Sequence, residues 1–74
     1  MSKLEMRLLK FINSFIKKNG YAPTVQEMTD GCDWKSKSSA ARILNGLEAI
    51  KMIKRTANKT RAIVLTEKGR RAVT

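Results

Sequence analysis

The sequence predicts a mainly α domain with a small β-hairpin: a three-helix core followed by two short strands. Apolar residues recur at helical spacing as far as Ile50. Turn and cap residues, Gly20, Pro23-Thr24 and Gly31, divide that region into three helices. After Ile50 the period changes to that of strands, with the β-branched run "RAIVL" at 61–65. Seventy-four residues leave room for one domain, 1–74. A chain this short buries only roughly 60% of the surface its unfolded form exposes, so its core is thin.

The first segment, "SKLEMRLLKFINSFIKKNG", places Leu4, Leu8, Phe11, Ile12, Phe15 and Ile16 on one wide stripe. Ser2 can cap its start with Glu5 three residues on, and Gly20 suits its end. The expected helix covers 3–18, and its stripe is core. Pro23 forces Ala22 into extended geometry, so this helix cannot run through. Thr24 and Glu27 then form a Thr-x-x-Glu capping box. They open a short helix over 25–31, with Val25 and Met28 facing inward.

"GCDWKSKSSAARILNGL" (31–47) holds two textures. It begins small, basic and hydroxyl-rich and becomes apolar at helical spacing. Ser36 or Ser38 can cap a third helix over 37–50, with Ala40, Ile43, Leu44, Leu47 and Ile50 on its core face. The opposite face carries Ser38, Ser39, Arg42, Asn45 and Gly46. Small residues allow close approach to a phosphate or base edge, and Arg42 can meet a guanine bidentately. The free N–H groups at the helix start favour anions. The bland alternative is a solvated face with a serine-rich cap.

A hairpin over 53–65 follows, with "TANKT" (56–60) as its turn and Asn58 available for positive φ. Lys54, Arg55, Lys59 and Arg61 line it, so it has the charge of a nucleic-acid-binding wing rather than of a plain solvated hairpin. "TEKGRRAVT" forms a last helical turn capped by Thr66, with Gly69 expected to limit its length.

Charge points the same way. Sixteen Lys and Arg stand against six acids, a net charge of +10. Residues 51–74 hold eight of the basic side chains and one acid, Glu67, for +7. Such a surface attracts phosphate. The apolar runs are far too short to span a bilayer and no signal-peptide pattern is present, so a cytoplasmic protein without a membrane partner is expected. There is no histidine, and Cys32 is a lone thiol suited to packing. Asp30 and Asp33 suit turns and caps better than a metal. No phosphate-cradling glycine loop appears. Neither an enzyme nor a cofactor or metal is expected.

The order helix, Gly-x-x-Pro-Thr turn, short helix, serine-rich helix and basic hairpin resembles the winged helix-turn-helix domain of the LexA repressor family. The stretches that carry the likeness are "LLKFINSFIKKNGYAPTVQEMTD", "KSKSSAARILNGLEAIKMI" and "RAIVL", about 60 of the 74 residues. "LTEKGRRA" is similar to a tail of many bacterial winged-helix regulators. The resemblance implies that the third helix enters the major groove, with base-contacting positions at Ser36, Ser38, Ser39, Ala41 and Arg42. It implies a wing along the DNA backbone at Asn58, Lys59, Thr60 and Arg61, and Trp34 packed under the helices. Thr24, Lys35, Lys37, Lys54 and Arg55 complete the expected backbone contacts.

The family tends to carry longer polar or acidic readers where this chain has Ser38, Ala41 and Arg42, so a different operator is expected. Lys51 stands where the family usually has a glycine, so the exit from the third helix must differ or be strained. The family's self-cleaving domain has no counterpart in these residues; the chain is expected to be a fragment or a small stand-alone regulator of the kind found in phages and mobile elements.

The expected function is sequence-specific binding of double-stranded DNA by a bacterial or phage transcriptional regulator or repressor. No dimer seam is visible, so a monomer that pairs only on DNA is expected. The alternative is a winged-helix protein-interaction module in a phage or mobile-element replication or recombination complex, which would show an exposed apolar patch. RNA binding is disfavoured because one tryptophan and one tyrosine make a poor stacking platform.

Overall fold

A computed structural model describes residues 1–55 and 61–74. Its elements run α1 (Lys3–Asn19), α2 (Val25–Gly31), α3 (Lys37–Ala49), β1 (Ile53–Arg55), β2 (Ile63–Leu65) and α4 (Glu67–Ala72). The strands form a two-stranded antiparallel sheet in which Ile53 faces Leu65, Lys54 faces Val64 and Arg55 faces Ile63. The three-helix core and hairpin expected from the sequence are therefore present. The expected turn, with Asn58, Lys59 and Thr60, lies outside the described residues.

The helix starts follow from local chemistry. Ser2 and Glu5 close a reciprocal capping box, and so do Thr24 and Glu27. Gly20 ends α1 at φ 82° and donates its N–H to the Ile16 carbonyl at 2.7 Å. Helix α1 packs against both α2 and α3. Its buried arc is consequently broader than one stripe: Leu8, Leu9 and Ile12 are fully buried, while Leu4, expected in the core, is 49% exposed. Met28 of α2 and Ala40, Leu44 and Leu47 of α3 meet that arc, and Ile53, Ile63 and Leu65 extend it under the hairpin. Trp34 packs half-buried against this cluster, as expected.

Helices α2 and α3 end the same way, with a residue other than glycine in the left-handed position that follows. After α2, the Trp34 N–H reaches the Thr29 carbonyl (2.9 Å) and the Asp33 N–H reaches Asp30 (3.2 Å). After α3, the Met52 N–H reaches Leu47 (2.9 Å) and the Lys51 N–H reaches Glu48 (3.0 Å). Both are Schellman motifs, whose penultimate position must be left-handed. Asp33 sits there at φ 60° and Lys51 at φ 66°. An aspartate tolerates this region; a lysine has Cβ strain and no local compensation. The strained exit expected at Lys51 is thus observed, and it ends α3 at Ala49.

The C-terminal segment fastens that strained exit. The Thr66 hydroxyl donates to the Lys51 carbonyl at 2.6 Å and caps α4 by accepting from the Gly69 N–H at 3.0 Å. The Lys68 ammonium donates to the Ile50 carbonyl at 3.2 Å. Gly69 does not limit α4, contrary to expectation: it lies inside the helix and is buried. A Cβ there would run into the Met52 backbone carbonyl, so glycine permits the close approach of α4 to the α3 exit.

Two substitutions at this join should move stability in opposite directions. Lys51→Gly relieves the left-handed strain and should stabilise by about 0.5–1 kcal/mol, raising Tm by roughly 2–8 °C. Gly69→Ala meets backbone rather than a yielding side chain and should cost about 1–3 kcal/mol. Thermal melts of the two variants check this, and equal or reversed shifts would contradict the join described.

Candidate nucleic-acid interface

The site is built on α3 because that helix has one face committed to the core. With Ala40, Leu44 and Leu47 buried against the rest of the bundle, Ser38, Arg42, Asn45 and Ala49 are left exposed. Their spacing of four, three and four residues makes one continuous outward stripe. Among the described residues no side-chain or backbone acceptor holds the Arg42 guanidinium.

The expected base-contacting residues distribute around this stripe. Ser38 and Arg42 lie on it. Ser39 and Ala41 sit on its two flanks, half-buried. Ser36 is the N-cap residue of α3 by backbone geometry, yet its side chain makes no capping hydrogen bond; its hydroxyl stands 3.5 Å from that of Ser39. The exposed lysines Lys35 and Lys37 bracket Ser36. Gly46 does not belong to the outward face where the sequence placed it. A Cβ there would stand 2.5 Å from the Glu5 carboxylate, so Gly46 is a point of close contact between α3 and α1.

Thr24 is half-buried at the start of α2. Its hydroxyl oxygen accepts the Glu27 N–H at 3.1 Å, and its own N–H donates to the Glu27 carboxylate at 2.8 Å. On the hairpin, Lys54 is exposed on β1.

The two hairpin arginines are not free in the way the sequence implied. Arg55 donates from Nε and Nη2 to Glu48 Oε1, at 3.0 and 2.8 Å, and from Nη2 also to Asn45 Oδ1. Arg61 donates to the Ala22 carbonyl at 3.1 Å and forks onto Glu27 at 2.9 and 3.3 Å. Its guanidinium also lies 4.6 Å from the Tyr21 ring centroid. Arg55 therefore ties β1 to α3, and Arg61, two residues ahead of β2, ties the approach to that strand to the α1–α2 turn and to α2. These partners lie up to 39 residues apart in sequence; local charge density could not distinguish a tether from a phosphate ligand.

Glu27 is the hub of the second tether. The Thr24 backbone N–H, and after it the Arg61 guanidinium, hold its carboxyl below the usual carboxylate range. Burial pushes the Cys32 thiol up, against a smaller pull from Arg7. The thiol is a packing group at the end of α2, as its lone occurrence implied. Asp33 and Asp30 serve turn and surface roles, Asp30 accepting from Gln26 at 3.0 Å. The large apolar side chains exposed among the described residues are Met1, Leu4, Tyr21 and Val64, and none is on α3.

A helix bundle whose third helix offers a polar, cationic stripe beside a tethered hairpin defines a winged helix-turn-helix domain. The comparisons with known proteins agree. The LexA DNA binding domain family matches residues 1–62. The chain is 38% identical over 63 residues to the LexA repressor of Pelagibacter ubique (strain HTCC1062), covering 85% of this chain and 28% of that protein. It is 36% identical over 67 residues to the LexA repressor of Cereibacter sphaeroides (strain ATCC 17029 / ATH 2.4.9), covering 90% of this chain and 30% of that protein. The chain belongs to the LexA DNA-binding domain family. It spans less than a third of the length of these curated relatives.

The Arg61–Glu27 tether carries a definite pH dependence. A carboxyl whose folded pKa is depressed contributes stability that is present above its unfolded pKa and lost as pH falls through its folded one. Arg61→Met should therefore destabilise the domain near ~pH 6, and the gap from the parent should narrow toward ~pH 3 as Glu27 takes up a proton, the Ala22 hydrogen bond and the Tyr21 contact keeping it from closing fully. Urea unfolding at the two pH values checks this; a gap that widens on acidification would contradict it.

Proposed function

We propose that this chain binds double-stranded DNA with sequence preference and acts as a transcriptional repressor. The observation that carries this reading is the α3 stripe. It presents Ser38 and Arg42 without an acidic residue among its exposed positions, with the exposed Lys35 and Lys37 at the start of the helix. In this reading α3 lies in the major groove, where Ser36, Ser38, Ser39, Ala41 and Arg42 meet base edges. Thr24, Lys35, Lys37 and Lys54 take the sugar-phosphate backbone, together with Asn58, Lys59 and Thr60 of the wing. Arg55 and Arg61 add positive charge at the rim of the interface while holding the hairpin in place.

The names of the two relatives support the repressor role, and the family match supports the DNA partner. The reading assigns the chain no reaction, cofactor or metal of its own. No helix among the described residues is long and apolar enough to cross a membrane, which fits a DNA-facing protein of the cytoplasm. Single modules of this kind bury on the order of 600–1,000 Å² on DNA, so the domain acts as a monomer in solution and gains specificity by pairing on adjacent half-sites.

Binding to random duplex over a salt series should show log K falling with a slope of about −4 to −5, as for roughly four to six phosphate contacts. Arg42→Ala should relax preference at one base position and cost about 1–3 kcal/mol on a selected site. Lys54→Ala should weaken all sequences alike and flatten the salt slope by about one unit. A slope near zero would remove DNA as the partner, and identical behaviour of the two variants would show that the two faces are wrongly assigned.

A further inference from the structure

Strand β2 pairs with β1 on one side, and among the described residues no strand pairs with its other edge. The register fixes which backbone groups that edge offers. The Thr66 N–H donates to the Met52 carbonyl at 3.1 Å, so Met52 and Thr66 form a hydrogen-bonded pair, and Lys54 and Val64 form the next one along the antiparallel ladder. Ile63 and Leu65 take the alternate positions, whose N–H and C=O groups point away from β1. The Leu65 carbonyl agrees with this, since it accepts from Arg70 Nη1 at 2.8 Å. Among the described residues, the Ile63 N–H and carbonyl and the Leu65 N–H have no hydrogen-bond partner. A groove of about 430 Å³ runs beside this edge, closed on its far side by Asn13 and Ile16 of α1 and by Tyr21 and Ala22. No described residue of β1 or α3 lines it.

The groove combines positive charge with apolar surface. Arg61 and Arg70 line it, and among the described residues no acid does. Arg61 is committed to Glu27, but Arg70 has no carboxylate partner among the described residues, and its guanidinium keeps donors beyond the one given to Leu65. Lys17 stands exposed one turn beyond Asn13 on the same face of α1. The exposed apolar side chains of Tyr21 and Val64 also border it. An open strand edge beside such a groove is suited to strand addition, in which main-chain hydrogen bonds hold an extended peptide and its side chains select it. We infer that the open edge of β2 docks an extended segment of a partner protein in which carboxylates alternate with apolar side chains. The carboxylates answer Arg70 and Lys17, and the apolar side chains cover Tyr21 and Val64. A DNA phosphate chain would meet the cations but has no donor for the Ile63 carbonyl. A second copy pairing β2 with β2 would bring together the arginines of two chains of net charge +10. The inference rests on the hairpin geometry and is independent of the DNA-binding reading.

The test is an NMR titration of the isotope-labelled chain with a terminally blocked hexapeptide of alternating valine and glutamate. Two control peptides accompany it: alternating valine and lysine, and the glutamate peptide N-methylated at every amide. The glutamate peptide should shift the Ile63 and Leu65 amides and slow their hydrogen exchange by about tenfold or more at saturation. The N-methylated peptide keeps the charge but cannot donate to the edge, and it should not bind there; the lysine peptide should bind at least about fivefold more weakly. Val64→Glu, an exposed substitution, should weaken the glutamate peptide by about two- to fivefold through like-charge contact. Unmoved Ile63 and Leu65 amides would overturn the inference, as would equal binding of the lysine or the N-methylated peptide. Displacement of the glutamate peptide by random duplex DNA that shifts the same two amides would assign the groove to DNA instead. A free protein that sediments as a dimer with both amides already protected would assign it to a second copy, and that also overturns the inference. Should Val64→Glu fail to fold, the three peptides on the parent chain still decide. None of these outcomes bears on whether α3 reads DNA, so the two readings fail separately.

Discussion

The burial of Ala40, Leu44 and Leu47 is the constraint on which the rest of this structure depends. Those three side chains fix the rotation of α3 about its own axis. Once that rotation is set, Ser38, Arg42, Asn45 and Ala49 have no route into the core, and the polar stripe must face outward. A polar substitution at Leu44 or Leu47 would therefore disturb more than stability. It would change which side chains the helix offers. Gly46 reinforces the same rotation from the side, by letting α3 approach Glu5 at the start of α1.

The hairpin depends on that helix in turn. A two-stranded sheet with three residues per strand has little stability of its own. It is held by Ile53, Ile63 and Leu65 beneath, by Arg55 on α3, and by Arg61 on the α1–α2 turn. Each ion pair is partly exposed, its side chains 35–41% open to solvent, and contributes little energy alone. Their value is geometric: both attach the hairpin to elements that also carry or support the α3 stripe. The α3 exit adds a further fastening, since Thr66 and Lys68 satisfy the carbonyls of Lys51 and Ile50 just where Lys51 is strained.

Most of this architecture was legible in the sequence because its signals are local. Capping boxes at Ser2 and Thr24, the Pro23 break and the change of period after Ile50 each act over a few residues. The outward placement of Ser38 and Arg42 follows from helical spacing alone. What was not legible needed two distant segments at once. Leu9 is buried because α1 is covered on more than one side, and Leu4 lies beyond that cover. Gly69 is small because of the Met52 carbonyl, which no pattern around residue 69 reveals. The carboxylate partners of Arg55 and Arg61 were not legible, because Glu48 and Glu27 come from other elements of the fold. Lys51 is instructive in the other direction, because a residue type unsuited to a helix exit pointed to strain that the backbone does contain.

The central claim is that one face of α3, together with the hairpin, forms the surface that meets DNA. Titrating isotope-labelled protein with a duplex carrying its selected site, and following each backbone amide by NMR, tests it most directly. The account predicts that the perturbed amides cluster at residues 35–49 and at the hairpin, with the exposed start of α1 around Met1 and Leu4 unmoved. Perturbations concentrated on α1, with the amides of Ser38, Arg42 and Asn45 unchanged, would contradict it.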